Sequence, residues 1–283
     1  MSYQQYRPNS FNVLPLVVKN LLIINGLFFL ATFAFSNQID LADTLGLHYP
    51  FSEKFHPYQI ITYMFMHGGF MHLFFNMFAL WMFGNTLENY WGPKRFLTYY
   101  IITGIGAAFC HYAVVYFQIQ PTLEIINSYI ANPTPAAFQA FLDSEYFKIT
   151  SLEMLNHYNE TIPTAFNNAI LANNHVEALR ISVDYMISYK TDFLNAPVVV
   201  GASGSVFGIL LAFGMLFPNT MLYVYFAIPI KAKWFVVLYG AMELFSGIAN
   251  SPTDNVAHFA HLGGMLFGFI LIKYWKKKSN RFY

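Results

Sequence analysis

The sequence predicts an all-α, polytopic membrane protein, a bundle of six transmembrane helices. Three observations predict it. Of the 283 residues, 56% are hydrophobic and only 10% charged, whereas a soluble domain carries about 25% charged residues. Six apolar runs approach the roughly 20 residues that a helix needs to cross a hydrocarbon core. The lysines and arginines fall unevenly on the segments between those runs.

The first run is Leu16–Phe35, with Lys19 near its start. The polar, tyrosine-rich stretch before it lacks the short apolar region and cleavage site of a signal peptide, so the run reads as a retained span. The second run is Phe70–Trp91 and the third Phe96–Phe117. The fourth, Val198–Phe217, carries no charge and is expected to begin with a few non-helical residues before Ser203. The fifth, Trp234–Ile248, is short and contains Glu243; the sixth is Val256–Trp275. No repeat of 20–50 residues is evident, and residues 1–283 read as one membrane domain.

The connections are unequal. Residues 37–69 form an aromatic loop suited to the headgroup level. Residues 120–197 form a much longer insertion. Its apolar residues recur at helical spacing in Ala136, Phe138, Phe141 and Leu142, and again in Leu179, Val183, Met186 and Ile187. That spacing predicts amphipathic helices, with residues 156–174 more loop-like. Six spans place Arg7, Lys19, Lys94, Arg95, Lys231, Lys233, Lys273, Lys276, Lys277, Lys278 and Arg281 on one side. Lys54, Lys148, Arg180 and Lys190 fall on the other. The asymmetry puts both termini in the cytoplasm and the insertion outside.

Other classes are excluded early. A net charge of +1 offers no field for nucleic acid. A single cysteine, Cys110, permits no intrachain disulfide. There is no H-E-x-x-H run, and neither a cofactor nor a metal is expected.

Polar residues inside spans are costly and ask for a reason. Ser203 and His261 each lie about five residues into a span entered from outside, roughly 8 Å deep. His72 and Asn76 enter from the same side, at similar depth, and share a helix face at i, i+4. Gly204 and Gly208 form a small-xxx-small face on the fourth span, and Gly264 and Gly268 form one on the sixth. Such faces let helices approach closely in lipid. If they meet, Ser203 comes within reach of His261, the base its hydroxyl needs to become a nucleophile.

Three motifs carry a family resemblance: H-G-G-F-M-H-L-F-F-N from His67, G-A-S-G-S-V-F-G from Gly201 and A-H-L-G-G-M-L-F-G from Ala260. Together they resemble the rhomboid intramembrane serine proteases, over roughly residues 11–117 and 198–275. The six-span core fits the bacterial type with an unusually long insertion between the third and fourth spans. The resemblance implies an endopeptidase with a Ser203–His261 dyad and no third acid. Its oxyanion hole would be His72, Asn76 and the N–H of Ser203. Gly201, His67 and Phe207 would support the site, Phe207 by packing on the His261 ring. The implied partners are transmembrane protein substrates in a lipid bilayer, cut near the outer face of the cell (inner) membrane. The oligomeric state is left open. Phe55-His-Pro-Tyr58 stands where many members carry a Trp-Arg pair, so no role transfers there.

Each residue also has a plainer reading. Ser203 alone would be a helix-packing serine, His67 an interfacial hydrogen-bonding residue, and the glycines packing residues in any case. Ser205 and His258 compete with Ser203 and His261 but lack their flanking motifs. Glu88 reads as a structural partner of nearby polar groups, and Glu243 as a protonated or hydrogen-bonded structural residue in preference to a functional one. An inactive, client-binding relative is the alternative function. A metal channel built on His67, His72, His258 and His261 is disfavoured because no carboxylate is expected near them.

Overall fold

The computed structural model describes residues 11–149, 151–224, 227–249 and 256–279. Arg7 and Arg281, counted in the charge asymmetry, lie outside them.

The chain begins with α1 (Leu16–Phe35) and a short α2 (Leu41–Leu45), which Asp40 caps through the N–H groups of Ala42 and Asp43. Strand β1 (Leu47–His48), α3 (Gln59–Thr62) and a 3-10 turn (Tyr63–Phe65) follow. Then come α4 (Phe70–Ala79), a π-helical segment (Leu80–Gly84) and α5 (Asn85–Trp91), continuous from 70 to 91. Gly92 turns the chain at φ +80°, where a side chain would be strained. Pro93 then opens α6 (Pro93–Ala131), its fixed φ suited to a first helical position.

Beyond α6 lie α7 (Pro135–Leu142), α8 (Leu152–Glu160), a π segment (Thr161–Phe166), α9 (Asn167–Leu171), α10 (His175–Asn195) and β2 (Val198–Val199). The last part comprises α11 (Ser203–Leu216), the strands β3 (Met221–Val224) and β4 (Ile228–Lys231), α12 (Ala232–Ala249) and α13 (His258–Ser279). Among the described residues, α1, α6 and α12 are each long and apolar enough to cross a membrane; α11 is apolar but shorter.

Two compact units are present. The first comprises residues 1–46, 58–111 and 200–283; the second comprises 47–57 and 112–199.

In the first unit small residues set the helix packing. A Cβ on Gly264 would collide with the backbone of Gly204, so α11 and α13 cross backbone to backbone at these two residues. The fourth-span glycines do not serve the sixth span alone. A Cβ on Gly208 would strike Thr103 of α6, and one on Gly204 would strike Ala107. The Tyr99 hydroxyl of α6 donates to the Gly208 carbonyl at 2.8 Å. Helix α6 is therefore wedged along the same small-residue face. The N-terminus of α1 has no side-chain cap of its own. The Glu88 carboxylate supplies one, accepting from Val17 N–H at 2.9 Å and Val18 N–H at 2.8 Å. Asn85 donates to the Val13 carbonyl and Asn89 to that of Asn12.

The second unit has its own apolar core, including Ile126, Phe138, Phe141, Met154, Phe166, Tyr185 and Met186. Thr134, Ser151 and Asn174 cap α7, α8 and α10, each accepting from the N–H three residues on. Two expectations need correction here. Residues 156–174 are mostly helical, because Ile162, Phe166 and Ala169 are buried at three- and four-residue spacing. Burial overrides the weak helix propensity of their Asn- and Thr-rich sequence. The inward side of α10 is also only partly Leu179-Val183-Met186-Ile187: Met186 is buried and Val183 packs against the core, but the fully buried set is different. It is Ala178, Ile181, Ser182, Tyr185, Met186 and Tyr189, with Ile187 exposed. Tyrosines supply that core, and the Tyr189 hydroxyl is satisfied by both backbone groups of Lys148.

Candidate active site

The site is built where α11 begins. Gly201 sits at φ +127°, a backbone conformation that L side chains rarely adopt, and its N–H donates to the Tyr63 carbonyl at 2.9 Å. This pins the chain so that the helix starts at Ser203. The N–H of a first helical residue has no intrahelical acceptor, so that of Ser203 is available to a ligand. Ser203 is half-buried, and its hydroxyl has no hydrogen-bond partner among the described residues. Ser205 differs. It is fully buried and donates to the Tyr100 carbonyl at 2.7 Å, a helix-to-helix bond.

His72 on α4 reaches the same place. A Cβ on Gly201 would lie 2.8 Å from His72 Nε2 and 3.6 Å from Ser203 Oγ, so both atoms border the space over Gly201. The Gly68 N–H points at His72 Nδ1 at 3.4 Å, a long contact in which Nδ1 accepts. The ring proton is then on Nε2, the nitrogen facing the serine. Asn76 lies one turn along, buried, and donates through Nδ2 to the His72 carbonyl at 2.9 Å. Its second amide hydrogen is not used by that bond. His67 is buried beside His72, ring centroids 5.0 Å apart and edge-on. Burial, and then His72, push its ring down to about 4, so it is neutral at physiological pH.

His261 on α13 lies flat against Phe207, with centroids 4.0 Å apart and planes 6° from parallel. Phe207 is one helical turn after Ser203 on α11, on the same helix face. The Gly204–Gly264 crossing makes that approach possible. Gly268 is close to Gly208, a Cβ on it lying 3.5 Å from the Gly208 Cα, and it also faces the Tyr99 hydroxyl. Ser203, His72, Asn76, His67, Phe207 and His261 are thus gathered about the start of α11.

Sequence reasoning missed what holds His261. Glu243 of α12 is buried, and its Oε2 lies 2.8 Å from His261 Nδ1 and 2.7 Å from His258 Nδ1. A carboxylate does therefore stand beside these histidines, contrary to expectation. The signal was present in the sequence, since Glu243 is the one acidic residue of the fifth apolar run. Nothing in that run shows which other span it faces. Glu243, His258 and His261 also form a possible metal-binding group, with ligand atoms all within 4.8 Å of one another. Two histidines and a carboxylate is a set that zinc accepts.

A rhomboid domain family model matches residues 54–119 and 175–278, more than half of the chain. The chain belongs to the rhomboid family. It is also similar to an uncharacterized mitochondrial rhomboid protein of Schizosaccharomyces pombe, at 34% identity over 90 residues. That match covers 30% of this chain and 23% of the relative, so the two are compared over a small part of the relative's length. The rhomboid fold is a polytopic helical membrane fold, and α1, α6 and α12 have the length and apolar character that its spans require. The family match skips residues 120–174, most of the second unit's helices.

Proposed function

We propose that this rhomboid protein is an intramembrane serine endopeptidase that cleaves transmembrane substrates near the outer face of the bilayer. The observation that carries the proposal is the convergence of Ser203, His72 and His261, from three separate helices, about the start of α11. Ser203 Oγ gives its proton to His261 Nε2 and attacks the scissile carbonyl carbon. The carbonyl oxygen becomes an oxyanion, and the N–H of Ser203, His72 Nε2–H and Asn76 Nδ2–H donate to it. His261 then protonates the leaving amine, and the acyl-enzyme forms. Water, deprotonated by His261, releases the second product and restores Ser203. Preorganised donors of this kind are worth about 3–4 kcal/mol each in a dry site. The substrate helix must unwind locally, because helical peptide bonds are shielded by their own backbone and side chains.

The lysine and arginine distribution supports cytoplasmic termini, a site opening to the outer side of the cell membrane, and an outward position for the insertion. The test uses purified protein with a transmembrane reporter and a fluorophosphonate probe. The wild type is expected to cleave the reporter and to be labelled. Ser203→Ala is expected to lose both, with cleavage falling at least about a thousandfold. Undiminished cleavage by Ser203→Ala would sink the proposal. A folded wild type that binds the reporter but neither cleaves it nor takes the label would instead be an inactive, client-binding relative.

A further inference from the structure

We propose that Glu243 is a positioning residue that completes a Ser203–His261–Glu243 relay, with His258 holding the carboxylate in place. The proposal rests on the serine endopeptidase reading above and extends it to a residue outside the three motifs.

A carboxylate buried in a membrane span is expensive unless it is hydrogen-bonded. Glu243 meets that demand with Nδ1 of His261 at 2.8 Å and Nδ1 of His258 at 2.7 Å, both at the same oxygen, Oε2. An ionised carboxylate only accepts, so each Nδ1 carries the donated proton. The tautomer of His261 follows: with the proton on Nδ1, Nε2 has a lone pair and can take the Ser203 proton. The ring plane is set from two directions. Phe207 lies parallel to its face and Glu243 holds its edge. When His261 becomes an imidazolium, the charge forms beside Glu243 and not in bare hydrocarbon.

The surroundings are consistent with a built arrangement. Glu243 lies on the buried face of α12 with Val236 and Gly247. A Cβ on Gly247 would lie 3.1 Å from the Cβ of His258, so the small residue lets α13 approach α12 at the level of the histidines. His258 donates a second hydrogen bond to Oε2 and reduces the freedom of the carboxylate to turn.

The experiment uses the purified full chain with the transmembrane reporter. Wild type, Glu243→Gln, Glu243→Asp and Ser203→Ala are compared by steady-state kinetics, fluorophosphonate labelling, thermal unfolding and histidine nitrogen-15 NMR. Glu243→Gln is expected to lower kcat about a hundredfold or more, as loss of an orienting acid does elsewhere, with KM changed less than about twofold. Labelling should slow in parallel. Glu243→Asp should recover activity to within about tenfold of wild type, because it restores the acceptor and the charge. A strongly deshielded Nδ1–H resonance of His261 should be present in wild type and Ser203→Ala and absent in Glu243→Gln. Wild-type turnover and labelling left unchanged by Glu243→Gln would overturn this proposal alone. Absence of both in the wild type would overturn the endopeptidase reading on which it rests. Loss of wild-type activity on chelation, with recovery on adding Zn²⁺, would make Glu243 a metal ligand and also overturn the relay.

Discussion

The ring of Phe207 lies parallel to that of His261, at a centroid separation of 4.0 Å. Tyr239 of α12 also packs on Phe207, with ring centroids 5.0 Å apart. The ring of His261, the proposed base, thereby meets an aromatic contact from the very helix that carries Ser203. Offset or parallel aromatic contacts contribute about 0.5–1.5 kcal/mol beyond the area they bury. Phe207→Leu keeps the apolar volume and loses the planar face. It is expected to lower kcat by about three- to tenfold, with little change in KM. Phe207→Tyr should stay near wild type. Steady-state kinetics on the reporter checks both, and a Phe207→Leu protein as active as wild type would show that the stack does not orient the base.

The backbone crossing of α11 and α13 gives a second prediction. A methyl at position 264 has backbone atoms of Gly204 in its way, and backbone cannot yield as a flexible side chain can. Overpacking of this kind costs about 1–3 kcal/mol. Gly264→Ala is expected to lower the unfolding temperature by about 5 °C or more and to abolish cleavage, because His261 is carried away from Ser203. Gly26→Ala is the control. Nothing lies within 4 Å of a Cβ there, so stability and activity should be kept. Equal behaviour of the two variants would remove the crossing from the account.

The membrane bundle was legible in the sequence because bilayer thickness sets span length and lipid tolerates few charges. The start of α11 was legible because a glycine with positive φ and a serine at a helix start leave a pattern in the chain. Tertiary choices left no such pattern. Helix α6 meets the Gly204–Gly208 face through Thr103 and Ala107, residues unremarkable in an apolar run. The partners of Glu243 lie 15 and 18 residues on, in another span, and only folding brings them together. In α10, hydropathy favoured Leu179 and Ile187, whereas the core selected Tyr185 and Tyr189. The large ring area of these tyrosines, and a satisfied hydroxyl in the case of Tyr189, outweigh their polarity.

Glu88 joins α5 to the first span and yields a third prediction. Both carboxylate oxygens are engaged, one by each of two successive N–H groups at the start of α1. A negative charge there also complements the helix dipole. Glu88→Gln keeps the shape but offers only one accepting oxygen, and its amide hydrogens face a backbone donor. Leaving a buried donor unsatisfied costs about 1–3 kcal/mol. The unfolding temperature should fall by about 5 °C, while the fluorophosphonate labelling rate of the folded protein stays near wild type. A Glu88→Gln protein as stable as wild type would mean that the cap contributes nothing.

The second unit makes a prediction in pH. Asp192 of α10 is partly buried, and burial raises its carboxyl above the usual range; nearby Glu153 raises it further, against the opposing effects of His157 and Lys54. His157 Nδ1 lies 3.9 Å from the Asp192 carboxylate, a weak compensation. A carboxyl that binds its proton more tightly when folded contributes most stability below the ordinary carboxylate range. That contribution is lost as pH rises through the raised value. Near neutral pH the ionised Asp192 therefore weakens the packing of α8 against α10. Asp192→Asn removes the charge and should slow amide hydrogen exchange in residues 152–195 at pH 7.5. The difference from wild type should shrink as pH falls through the raised value, where Asp192 itself becomes protonated. An Asn variant that exchanges faster than wild type at pH 7.5 would show that the His157 contact outweighs the burial of the charge.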